Sequence, residues 1–140
     1  HPDDLIIAAD TGVAVNSRVL GKPRSEEDAA RMLSALSGQL NMVYTGVTVA
    51  LGGERVTEHE ITSVRFRPLT QADIVRYIAT GEPMDKAGAY GIQGYGCVLV
   101  ESISGDYYNV MGLPVFRLSG LLARFGVDPL ALDAEKEQKA

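Results

Sequence analysis

A single cysteine, Cys97, is the only thiol in 140 residues, so no disulfide can form within the chain. A reducing compartment, the cytoplasm, is the expected location. Tryptophan is absent, and the two histidines, His1 and His59, are too few beside one cysteine to build a zinc site. No apolar run approaches the roughly 18–20 residues of a membrane span, so no membrane partner is expected. The opening His1-Pro2-Asp3-Asp4 lacks the pattern of a signal peptide. Basic side chains are outnumbered, 13 against 18 acidic, for a net charge of −5. That argues against a protein that coats nucleic acid, because counterion release needs a basic face.

What is present is globular. Hydrophobic residues make up 46% and charged residues 22%. The length suits one domain spanning 1–140, with the polar stretch 134–140 expected to be a disordered tail. The chain begins without methionine, and Leu5-Ile6-Ile7-Ala8-Ala9 already reads as a strand buried on both faces. The expectation is therefore a domain incomplete at its N-terminus.

Local patterns place the remaining elements. Gly12 to Pro23 reads as loop with a short hairpin at Asn16-Ser17. Ser25 caps a helix with Ala29, Met32, Leu33 and Leu36 on one face and Gly38 past its end. Met42–Leu51 and Glu54–Arg67 flank Gly52-Gly53 as a β-hairpin. Thr70 and Asp73 open a second helix that Gly81 ends. A strand over Cys97–Ile103 follows, and Pro114 opens a third helix closed by Gly126. Strands alternating with helices around a hairpin predict an α/β fold with a mixed sheet.

Few segments carry chemistry. Asp10, read as lying just past the end of a buried strand, occupies the usual ligand position of α/β sheets. It could ligate a metal, act as a general base on water, or be a turn residue alone. Lys22, between Gly21 and Pro23, is either a cation placed against phosphate or a solvated loop lysine. The run Asp85-Lys86-Ala87-Gly88-Ala89-Tyr90-Gly91-Ile92-Gln93-Gly94 is the most unusual. Its glycines permit close backbone approach and leave N–H groups free for oxyanions. Lys86 adds charge, and the Gln93 amide offers both a donor and an acceptor for a base edge. The run is neither a Walker A loop nor a Rossmann fingerprint, and an unliganded Ω-type loop is its other reading. Cys97, Tyr107 and Tyr108 are expected in the core and His59 on the surface.

Taken in order, these segments resemble the Maf family of nucleoside triphosphate pyrophosphatases, once described as septum-formation inhibitors. The resemblance rests on Ala8-Ala9-Asp10-Thr11, Leu20-Gly21-Lys22-Pro23, Leu36-Ser37-Gly38, Tyr44-Thr45-Gly46-Val47, the Asp85–Gly94 run, and Tyr108-Asn109-Val110 with Gly112-Leu113-Pro114. It implies an elongated mixed sheet flanked by helices, similar to the inosine triphosphatase group, with two lobes and a central cleft. It implies hydrolysis of a nucleoside triphosphate to the monophosphate and pyrophosphate with a divalent cation, Mg or Mn. Asp10 matches the family's proton acceptor, and as a carboxylate it is also the candidate metal ligand. Thr11 and Gln93 match positions of base selection, and Lys22 and Lys86 match lysines of the cleft.

The Lys86–Gly94 run is similar to the branch acting on dTTP and UTP. The alternatives are a pyrophosphatase for a modified purine such as 7-methyl-GTP, and a nucleotide-binding module regulating septum formation without catalysis. Two departures stand out. Asn41 occupies a position where the family commonly has histidine. The family's opening Ser-Pro-Arg-Arg loop and Lys-Ala pair have no counterpart in these residues. The expectation is that residues 1–140 alone are weakly active or inactive and associate as a homodimer or other homo-oligomer.

Overall fold

Two tight turns set the sheet of the computed structural model, which describes residues 3–131. Asn16 (φ 50°) and Ser17 (φ 65°) fold β1 (Ile6–Val15) onto β2 (Arg18–Leu20). Gly52 (φ 58°) and Gly53 (φ 88°) fold β3 (Leu40–Leu51) onto β4 (Glu54–Phe66). Positive φ at both central residues matches the turn to the right-handed twist of its strands. With β5 (Val100–Ser104) the sheet runs in the order β2-β1-β3-β4-β5.

The expected α/β arrangement, one sheet flanked by helices, is present. Among the described residues, however, every strand pair is antiparallel, so the parallel member of a mixed sheet is not among them. The connectivity explains this. β2 reverses the chain, and α1 (Glu26–Leu36) carries it back, so β3 starts beside the end of β1, with Met42 opposite Ala14.

Helix starts follow their caps. The Ser25 hydroxyl accepts the Asp28 N–H at 3.1 Å. Thr70 and Asp73 form a reciprocal capping box at the head of α2 (Gln71–Ala79). Pro114 precedes α4 (Val115–Arg124), and Gly126 (φ 75°) lies just beyond it.

One face of the sheet carries two apolar clusters. At one end, Val13, Val15, Val43, Val64 and Phe66 pack beneath α1, α2 and the Ala87–Tyr90 turn. At the other, Val47 and Val49 meet Leu118, Leu121 and Leu122 of α4. Arg117 fastens α4 to the sheet through Glu58 (2.6 Å) and Glu60 (2.9 Å) of β4. Between the clusters runs a buried polar seam. Thr45 and Thr11 hydroxyls meet at 2.9 Å, and the Asn109 amide donates to Val43 O (3.1 Å) and Thr62 Oγ1 (3.0 Å).

Several expectations are corrected. Leu5–Ala9 is not a strand buried on both faces: Ile6 and Ile7 are 55% and 45% exposed, because helices and loops cover the Val13–Val15 end of β1 instead. Cys97 does not start a strand and is exposed. Tyr95–Leu99 is a 3-10 turn, and ladder pairing begins only at Val100 opposite Phe66. Tyr107 and Tyr108 are exposed on a short helix, α3 (Tyr107–Met111), capped by Asp106, so the helix after Pro114 is the fourth. The tail at 134–140 lies outside the described residues.

Candidate active site

A cleft of about 530 Å³ opens over β1, between the Glu82–Gly94 segment and the end of α3. Asp10, Thr11, Lys22, Lys86 and Gln93 all line it. Residues separated by more than eighty positions thus meet around one cavity.

Asp10 is not past the end of its strand. It sits within β1, opposite Gly46. Gly12 does not terminate the strand either; it makes room for the Tyr44 ring, since a Cβ there would lie 2.4 Å from Tyr44 Cζ. Strand alternation puts Asp10 and Thr11 on opposite faces of the sheet. Both reach the cleft because β2 pairs only with Val13–Val15, leaving the outer edge of Ile6–Gly12 without a ladder partner among the described residues. Thr11 turns inward: its hydroxyl meets Thr45 and donates to Gly112 O at 3.3 Å, linking β1 to the end of α3.

The two lysines converge because their loops are joined. The Gly88 N–H donates to Gly21 O at 3.0 Å, tying the Lys22 turn to the Lys86 turn. Gly88 packs tightly on β1: a Cβ on it would touch Val13 at 3.0 Å. The following Ala89 is fully buried at φ 64°, a left-handed conformation that costs a non-glycine residue free energy and persists where packing imposes it. Lys86 Nζ pairs with Asp85 at 2.9 Å. That bond and the Lys86 charge, with a smaller contribution from Lys22, hold the Asp85 carboxyl below its ordinary range. Two ammonium groups on adjoining turns can serve the charge of a polyphosphate.

The glycine run differs from expectation in one respect. Its amides are not all free for an oxyanion. Within it the Gly88 N–H donates to Gly21 O and the Gly91 N–H to Tyr77 Oη at 2.9 Å, and just past it the Tyr95 and Gly96 N–H groups donate to the Glu82 carboxylate at 2.8 and 2.9 Å. Sequence pattern does not single out Glu82, and it shows Tyr77 only as one more apolar position of a helix face. The signal that could have revealed them is the spacing of Gly91, Gly94 and Gly96, none of which needs a left-handed φ. A glycine outside the left-handed region draws attention to what packs where its side chain would be.

Asn41 is fully buried, accepts from Tyr90 Oη at 2.9 Å, and donates to Val64 O at 3.1 Å. It anchors Tyr90, which lines the cleft and meets the Phe66 ring edge-on at 4.6 Å. Burial pushes the Tyr90 phenol well above its ordinary range. His59 is exposed, as expected. Among the described residues no three histidine, cysteine or carboxylate side chains group to hold a metal. Of the two carboxylates that line the cleft, Glu82 accepts the Tyr95 and Gly96 amides, and Asp10 is the one that would ligate a cation. One carboxylate suits a hard divalent cation that takes its other ligands from phosphate and water.

The family model described as Maf-like protein matches residues 1–125. A dTTP/UTP pyrophosphatase of Moorella thermoacetica is 57% identical over 129 residues, covering 90% of this chain and 66% of that protein. The Symbiobacterium thermophilum protein of the same name is 52% identical over 126 residues, covering 90% and 65%. That of Bacillus pumilus is 49% identical over 129 residues, covering 92% and 68%. The chain thus spans about two thirds of the length of the curated relatives it matches. With the match running through β1, the lysine turns, the glycine run and α4, the chain belongs to the Maf family.

Proposed function

We propose that the protein carrying this chain is a nucleoside triphosphate pyrophosphatase that hydrolyses dTTP and UTP to the monophosphate and pyrophosphate. The observation that carries this reading is the convergence of Asp10, Lys22, Lys86 and Gln93 on one cleft. Attack at the α-phosphate needs a base for water and cations for the charge that develops. Asp10 is the base or the carboxylate that holds a divalent cation, Mg or Mn. Such a cation polarises phosphate oxygens when bound. Lys22 and Lys86 bind the phosphates.

Gln93 reads the carbonyl and N3–H shared by thymine and uracil, which its amide can match with one donor and one acceptor. Thr11 contributes as an acceptor, its hydrogen being engaged by Gly112 O. The names of the relatives support the substrate pair. No helix among the described residues is long and apolar enough to cross a membrane. The working place proposed is the cytoplasm, and the working form a homodimer or other homo-oligomer.

The test is pyrophosphate release by the whole protein that carries this chain, from a panel of triphosphates with Mg or Mn. dTTP and UTP should lead the panel, and Asp10→Asn should slow turnover by about 10²–10⁴ with folding intact. Release of inorganic phosphate instead, preference for a purine, or triphosphate binding without turnover would overturn the proposal, the last in favour of a regulatory module.

A further inference from the structure

Both ends of the loop that carries Gln93 are fastened to one pair of side chains. Glu82 Oε1 accepts the Tyr95 N–H at 2.8 Å, and Oε2 accepts the Gly96 N–H at 2.9 Å. Tyr77 Oη donates to the same Oε2 and accepts the Gly91 N–H at 2.9 Å. Phenol and carboxylate thereby join α2, the 3-10 turn Glu82–Asp85, and the backbone on either side of Gln93.

The glycines are spaced around this clip. A Cβ on Gly94 would lie 1.7 Å from Glu82 Oε1, and one on Gly96 would lie 2.1 Å from Gly91 O and 2.8 Å from Tyr77 Oη. A Cβ on Gly91 would lie 2.6 Å from Lys86 Cε. The Lys86 stem therefore rests on the same loop, while its ammonium reaches Glu82 O at 3.4 Å. A shift of the clip moves Gln93 and Lys86 together.

From this geometry we infer that Tyr77 and Glu82 are positioning residues for base recognition, holding the Gly91–Gly96 loop so that Gln93 meets the nucleobase in one orientation. The inference rests on the reading of the cleft as a pyrimidine triphosphate site. Protonation supports the arrangement. Burial opposes the Glu82 charge, but the bonds from Tyr77, Gly96 and Tyr95 outweigh it and keep the carboxyl below its ordinary range. Burial, then the bond to Glu82, pushes the Tyr77 phenol upward, so it remains a neutral donor. Neither side chain contacts the reacting phosphate in this role. They act through the amide of Gln93, whose value for selectivity depends on fixed orientation.

The test uses the intact protein with Tyr77→Phe, which removes only the hydroxyl, and Glu82→Gln, which puts an amide donor against backbone donors. Hydrogen exchange at the Gly91, Tyr95 and Gly96 amides should accelerate about tenfold or more without nucleotide, since their local acceptors are lost or weakened. KM for dTTP and UTP should rise about tenfold with kcat little changed, and the preference over purine triphosphates should narrow. Unchanged amide exchange in both variants would overturn the clip. Faster exchange with unchanged selectivity, or a uniform fall in kcat across all triphosphates, would overturn positioning and leave the pair structural. If the unsubstituted protein cleaves no triphosphate, the proposed function fails and positioning for base recognition fails with it, while amide exchange still reports separately whether the clip exists.

Discussion

Glu82 and Gly94 exclude each other's alternatives: with the Glu82 carboxylate in place, a Cβ at position 94 would lie 1.7 Å from Oε1. The glycine leaves room for the carboxylate. A loop amide and a carboxylate can then meet without an intervening side chain, and the cleft wall becomes part of the fold's own hydrogen bonding.

Gly94→Ala should therefore destabilise the protein by about 1–3 kcal/mol through overpacking and a displaced carboxylate. Gly120→Ala provides the contrast. Gly120 lies within α4, and a Cβ added there would meet nothing within 4 Å, so alanine should stabilise by about 0.5–1 kcal/mol through helix propensity. Urea unfolding checks both. The midpoints should move in opposite directions, and a drop for both would remove the space argument.

Asn41 should tolerate histidine better than leucine. The buried amide gives one donor to Val64 O and one acceptor to Tyr90 Oη. A neutral imidazole also has one donor and one acceptor. Leucine has neither, and leaving buried partners unpaired costs about 1–3 kcal/mol each. Asn41→Leu should lose stability in denaturant titration by about 2 kcal/mol or more, and Asn41→His by clearly less. Equal losses would show that volume, not hydrogen bonding, governs the position.

Acid stability should depend on Asp73. The Thr70 backbone N–H first, then the Arg67 guanidinium and the Thr70 hydroxyl, hold its carboxyl at about 2 against an ordinary 3.8. A depressed folded-state value means that the contribution is complete above the unfolded value and lost as pH falls through the folded one. The stability difference between the protein and Asp73→Asn should be constant above about pH 5 and shrink between about pH 4 and 2. A difference that persists unchanged at pH 2 would mean that the charge on Asp73 contributes nothing.

Much of the architecture was legible because its causes are local. Ser25 and Thr70 cap helices by bonding backbone three residues away. Asn16-Ser17 and Gly52-Gly53 make hairpins because those residues tolerate a left-handed backbone. The five cleft residues were legible through the resemblance of short motifs, each a few residues long. What misled was apolar content without a partner in view. Leu5–Ala9 has the composition of a covered strand, and Tyr107 and Tyr108 that of core aromatics, yet burial depends on what packs against them.

By itself the sequence determined turns, caps, helix faces and the identity of the groups that could do chemistry, because each depends on neighbours close along the chain. Only the tertiary structure decided that β1 runs unbroken through Asp10, that Thr11 faces a polar seam, and that Gly88 joins the Lys22 and Lys86 turns. It alone showed that the Gly91 amide, expected to be free, is taken by Tyr77, and that Glu82 holds the two amides just past the run. Sequence pattern records which donors and acceptors exist; which of them satisfy one another is settled by distances between residues that the fold, not the order of the chain, brings together.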